Sequence, residues 1–172
     1  MRSLLPFAIT SLLGTQAIAV QAAEMSIKVE VPKLNVAEYH KPYVAIWIEK
    51  PDQSFAGNLA VWYDLKKKNN EGTKWLKDLR QWWRRSGREL DMPVDGLSGA
   101  TRTTGEHSLS FSGDKGVLAS LPAGNYQLMV EAAREGGGRE VVKLPFQWLA
   151  KGEQALTAHG SSELGTIAIN IK

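Results

Sequence analysis

Apolar side chains recur at every second position through much of this chain. Ile27, Val29 and Val31 alternate with Lys28 and Glu30. Val44, Ile46 and Ile48 alternate with Ala45 and Trp47, and Leu59, Val61 and Tyr63 alternate with Ala60, Trp62 and Asp64. Leu109 and Phe111 stand among Ser108, Ser110 and Ser112. A two-residue period predicts strands with one face turned inward. Later, Tyr126–Ala132 and Val141–Leu144 flank Gly136-Gly137-Gly138, which predicts a β-hairpin. A last strand over residues 165–172 places Ile167, Ile169 and Ile171 on one face.

One stretch changes period. Trp75, Leu79, Trp82 and Trp83 fall at i, i+4, i+7 and i+8, one face of a helix. Thr73 is placed to cap its start, Arg84 and Arg85 suit its negative end, and Gly87 is placed to stop it. The pattern predicts a mainly β protein: an antiparallel sandwich of about seven strands with one amphipathic helix inserted at about residues 73–86. The helix and the loop after it form an insertion over residues 66–106 of a single domain, residues 24–172.

Composition narrows the setting. Met1-Arg2, an interrupted apolar run from Leu4 to Val20, and small residues in Val20-Gln21-Ala22 ahead of a cleavage site have the layout of a secretory signal peptide, residues 1–22. The run is too short and too interrupted for a stable membrane span. About 150 residues remain, enough for one domain with its own core. Loss of Arg2 takes the formal charge from +3 to +2, a balance that gives no argument for nucleic acid or an anionic membrane. Cysteine is absent, so neither disulfides nor c-type haem nor a cysteine-bound iron–sulfur cluster is available.

The residues after the helix carry the candidate chemistry. Asp95-Gly96-Leu97-Ser98-Gly99-Ala100-Thr101 reads Asp-x-x-Ser-Gly-Ala-Thr. It resembles the acceptor motif of proteins that carry covalent FMN. In those proteins an FAD:protein FMN transferase joins FMN to the last Thr or Ser through a phosphoester. The resemblance implies Thr101 as the attachment residue and Asp95, Ser98, Gly99 and Ala100 as the rest of the acceptor. Gly99 and Ala100 leave the backbone open to a phosphate, and Ser98 and Asp95 suit local bonds that hold a turn. Trp83 is a candidate stacking partner for a flavin ring, and Arg88 and Arg102 are candidates for flavin or phosphate contacts.

The motif covers seven to ten residues and sits outside the α+β setting of ordinary FMN-binding domains. Residues 108–130, with Gly113-Asp114-Lys115-Gly116 ahead of Leu121-Pro122-Ala123-Gly124-Asn125-Tyr126, resemble small immunoglobulin-like domains of exported proteins. That likeness speaks to fold, not function. The Trp-Leu-x-Asp-Leu-Arg-x-Trp-Trp-Arg-Arg stretch, the acceptor loop, the Leu-Pro-Ala-Gly-x-Tyr turn and the Glu-Ala-Ala-Arg-Glu hairpin, in this order, resemble a family of predicted periplasmic proteins of unknown function. Members of that family appear alongside membrane redox proteins and the FMN transferase.

Rival chemistry is weak. Gly96-x-Ser98-Gly99 has Ala100 where a nucleophile elbow needs glycine. His40, His107 and His159 are far apart, and no metal-ligand or acid–base spacing occurs. The expectation is a periplasmic electron carrier, not itself an enzyme, with FMN on Thr101. Its partners would be the transferase and a membrane redox protein. The alternative is a non-catalytic protein-binding or structural immunoglobulin-like module in the periplasm.

Overall fold

The computed structural model describes residues 23–172; the expected leader, residues 1–22, lies outside the described residues. Nine strands are present among them: β1 (Glu24–Val31), β2 (Tyr43–Glu49), β3 (Phe55–Tyr63), β4 (Ser98–Ala100), β5 (Gly105–Ser112), β6 (Gly124–Ala133), β7 (Arg139–Trp148), β8 (Gln154–His159) and β9 (Thr166–Ile171). They form a four-stranded sheet, β5-β1-β9-β8, and a five-stranded sheet, β4-β3-β2-β6-β7. The chain is a β-sandwich. Its core joins Met25, Ile27 and Val29 of β1 and Ile167, Ile169 and Ile171 of β9 to Val44, Ile46, Leu128, Val130 and Leu144 of the larger sheet.

The predicted hairpin is β6–β7, paired from Ala133↔Arg139 to Gly124↔Trp148. Ahead of it, the Tyr126 hydroxyl donates to the Pro122 carbonyl at 2.9 Å. This is the corner bond of many β-sandwiches, and it explains the Leu-Pro-Ala-Gly-x-Tyr spacing.

Nine strands replace the expected seven because two lack a strong period. β4 is only Ser-Gly-Ala, and β8 sets small Ala155 and Ala158 around a half-buried Leu156. The pairing of β3 with β4 is parallel, against the all-antiparallel expectation. A five-residue helix, α2 (Gly116–Ser120), also follows the Gly113–Gly116 turn.

The larger sheet is covered on both faces. Every residue of β2 is buried, including Ala45 and Trp47 on the face opposite Val44, Ile46 and Ile48. A second cluster forms there, in which Leu76, Leu79 and Trp82 of the insertion pack on Tyr43, Ala45, Trp47, Val61, Tyr63 and Met129. The insertion is therefore a third layer over the sheet.

That layer is not the single helix that its period predicts. It is a 3-10 run (Lys68–Asp78), a short helix α1 (Arg80–Arg85) and a 3-10 turn (Gly87–Glu89). The 3-10 run is itself interrupted where Asn69 and Asn70 take positive φ. Thr73 caps nothing; its hydroxyl donates to the Asn70 carbonyl at 2.8 Å. Trp75, on the apolar face of the predicted helix, is 38% exposed, and Leu76 is buried in its place.

Candidate functional site

The acceptor motif is built onto the edge of the larger sheet. Gly96 has φ +74, a left-handed conformation that glycine adopts without strain. The turn closes when Val94 N–H donates to Ser98 Oγ at 2.9 Å and Ser98 N–H returns a bond to the Val94 carbonyl at 2.9 Å. The chain then runs alongside β3, with Val61 N–H to the Leu97 carbonyl at 2.8 Å and Thr101 N–H to the Tyr63 carbonyl at 3.1 Å. At Gly99 a Cβ would lie 3.1 Å from Trp62 Cδ1, so glycine lets the strand lie on that ring. Turn and strand geometry thus account for Gly96, Ser98 and Gly99. They leave two side chains over. The Asp95 carboxylate and the Thr101 hydroxyl make no hydrogen bond or ion pair among the described residues.

Glu131, in the middle of β6 and fully buried, organises the layer beside the motif. Its carboxylate accepts Gln81 N–H at 3.1 and 3.0 Å, Trp82 N–H at 2.8 Å and Arg139 Nη1 at 2.9 Å. It supplies acceptors to the first N–H groups of α1, which lack helical partners. The break at Leu79 follows, because α1 starts where this carboxylate lies. Trp82 is fixed in turn by Nε1 donating to Asn58 Oδ1 at 2.8 Å. Glu49, also fully buried, accepts Trp47 Nε1 at 2.9 Å and pairs with Arg85 Nε at 3.2 Å.

Between this layer, the β1–β2 connection and the β6–β7 hairpin tip lies a cavity of about 890 Å³. Thr101 lines it, together with Trp75, Arg80, Tyr43, Lys41 and Gly137 among others. The hairpin wall is held by Arg134, whose Nε and Nη2 bond to Glu163 at 2.8 and 3.0 Å while Gly138 N–H donates to the same carboxylate at 2.7 Å. These bonds hold the Arg134 guanidinium above its ordinary pKa, with burial acting against them. Lys41 and Arg80 form no ion pair among the described residues. Burial pushes the Tyr43 phenol up to about 12, so it is a neutral hydroxyl at physiological pH. That hydroxyl donates to the Gly72 carbonyl at 3.1 Å. The cavity therefore offers a free hydroxyl, two unpaired cations, the carboxylates of Asp64, Asp78 and Glu135, and the exposed Trp75 indole.

Of the FMN-site residues expected from sequence, Thr101 alone lines this cavity. Trp83 is tilted against Trp82 with ring centroids 6.3 Å apart and packs half-buried on the second cluster. Arg88 pairs with Glu89 at 3.1 Å. Arg102 lies over the Trp62 ring at 5.2 Å. The break at Leu79 separates Trp75 from Trp82 and Trp83, so the cavity receives the first and not the others. Lys41, Tyr43 and Arg80 went unnoticed because each comes from a different segment.

Residues 24–166 match the family described as predicted periplasmic protein (DUF2271). Searches of the curated proteins and of the solved structures return no match. No helix among the described residues is long and apolar enough to cross a membrane, and no group of His, Cys, Asp and Glu among them is placed to hold a metal ion. The match spans nearly all of the described chain, and the protein belongs to this family of predicted periplasmic proteins.

Proposed function

We propose that the protein is a periplasmic electron carrier with FMN joined through a phosphoester to Thr101. One observation carries the reading: the Thr101 side chain, without a hydrogen-bond partner among the described residues, opens onto the cavity of about 890 Å³. A hydroxyl tied into a turn would be a poor acceptor, and Ser98, whose Oγ is tied in this way, stands three residues away.

The side chains around the cavity suit the group. Lys41 and Arg80, set among Asp64, Asp78 and Glu135, offer positive charge to a phosphate or to the electron-rich edge of the ring, and Trp75 offers the ring face that Lys67 does not cover. The volume falls within the range of cofactor pockets. Attachment forms a bond from Thr101 Oγ1 to the FMN phosphorus of FAD and breaks the phosphoanhydride. AMP leaves and the hydroxyl proton is lost. Bound FMN supplies reversible one- or two-electron transfer. The chain itself anchors the group, offers it a partly dry wall and supplies fixed charge.

To test this, the mature chain is co-expressed with an FAD:protein FMN transferase and its intact mass is taken. The expected result is a gain of one FMN less one water, absent from Thr101→Val. No gain, or a gain that survives the substitution, sinks the proposal and leaves the exposed Trp and Arg surface to a protein-binding module.

A further inference from the structure

The near-neutral charge of this protein conceals a sharp separation. Residues 66–89 carry nine lysines and arginines against three acids, Glu71, Asp78 and Glu89, for six net positive charges. The other described residues carry eleven basic and fifteen acidic side chains, for four net negative charges. The stretch is the third layer of the fold. Its apolar side chains, Leu76, Leu79 and Trp82, face the sheet, and all nine of its basic residues are exposed. Lys66, Lys68, Lys77, Arg80 and Arg84 make no ion pair among the described residues. Trp75 stands among them, exposed, with Lys67 Nζ 4.1 Å above its ring centroid.

We infer that this layer is a docking face for an anionic lipid surface. Nine exposed cations, five of them unpaired, in one layer with an exposed tryptophan suit a headgroup boundary: the charges meet the acidic headgroups, and the indole lies at the interface. The layer shares Trp75, Asp78 and Arg80 with the lining of the cavity. An acidic protein partner would satisfy the charge as well, but the exposed indole beside the cations favours a headgroup boundary. Docking brings the rim of the Thr101 cavity to the membrane surface. The inference does not depend on whether Thr101 is modified.

The test is co-sedimentation of the mature chain with vesicles of phosphatidylglycerol and phosphatidylcholine, against phosphatidylcholine alone. Binding is expected only to the anionic vesicles and is expected to fall with salt. Lys68→Glu, Lys77→Glu and Arg84→Glu together should lower the partition coefficient at least roughly a hundredfold, from about fivefold per charge removed near such a surface. Reversing Lys115, Lys151 and Lys172 makes the same change in net charge away from the layer and should lower it far less. Circular dichroism checks that both variants are folded. Absence of binding to anionic vesicles at low salt, or equal losses in the two variants, overturns the inference. The first of these outcomes leaves the layer to an acidic protein surface.

Discussion

Removing the Glu131 carboxylate should detach the outer layer from the sandwich. The group is fully buried and accepts three donors, Gln81 N–H, Trp82 N–H and Arg139 Nη1, at 2.8 to 3.1 Å. Glu131→Ala leaves two helix-end N–H groups and a guanidinium without their acceptor. Arg139 is 39% exposed and regains water, so the cost falls on the two N–H groups, about 1–3 kcal/mol each, a large fraction of a domain's stability of roughly 5–15 kcal/mol. Glu131→Gln keeps one carbonyl oxygen for the N–H groups but loses the charge, and should cost about 1.5–3 kcal/mol. Urea unfolding at neutral pH, followed by tryptophan fluorescence, measures both, because Trp82 lies at the break. Glu135→Ala, an exposed change on the same hairpin, should stay within about 0.5 kcal/mol. If Glu131→Ala also lost less than about 1 kcal/mol, this carboxylate would not be what starts α1, and the explanation of the break at Leu79 would fail. The Gln variant keeps the test decisive if the Ala variant does not fold.

Two further substitutions probe the frame around the site. Burial works to raise the Glu140 carboxyl, but bonds from Ser161 N–H, Leu164 N–H, the Ser161 hydroxyl and Ser162 N–H outweigh it and hold the pKa at about 2, below its ordinary 4.5. A depressed carboxyl stabilises the fold above its unfolded pKa, and that stability fades as pH falls from about 4.5 to about 2. Thermal melts should find Glu140→Gln less stable by about 1–2 kcal/mol at pH 7, after solvent screening, and equal to the unsubstituted protein near pH 2; a constant difference across that range contradicts the assignment. At Gly87 a Cβ would lie 2.5 Å from Trp82 Cζ3, and the ring is tied to Asn58. Gly87→Ala should cost about 1–3 kcal/mol in urea unfolding, whereas a change under about 0.5 kcal/mol would mean that Trp82 moves freely.

The strands were legible where alternation is strong. Ile27, Val29 and Val31 point into the sandwich as their spacing predicts. Alternation does not say what covers the other face. Ala45 and Trp47 read as the outer side of β2, yet both are fully buried, because the insertion lies on them. The helical stripe Trp75–Leu79–Trp82 was real in sequence and broken in space. The carboxylate that decides the break comes from Glu131, about fifty positions later. Such an effect is invisible to a local period. The site divides the same way. Thr101 stands out in sequence because its motif is contiguous, while the cavity it lines draws Lys41, Trp75, Arg80 and Gly137 from separate segments. Net charge misled similarly, since an even total hid nine exposed cations in a single layer.

The claim that matters most is that Thr101 carries the flavin. Tryptic mass mapping of the protein purified from its own cells tests it directly. The account predicts a peptide ending at Arg102 with one FMN less one water added, and fragment ions that locate the addition on Thr101. An unmodified peptide from cells that contain the transferase, or an addition located on Ser98, Thr103 or Thr104, would contradict it.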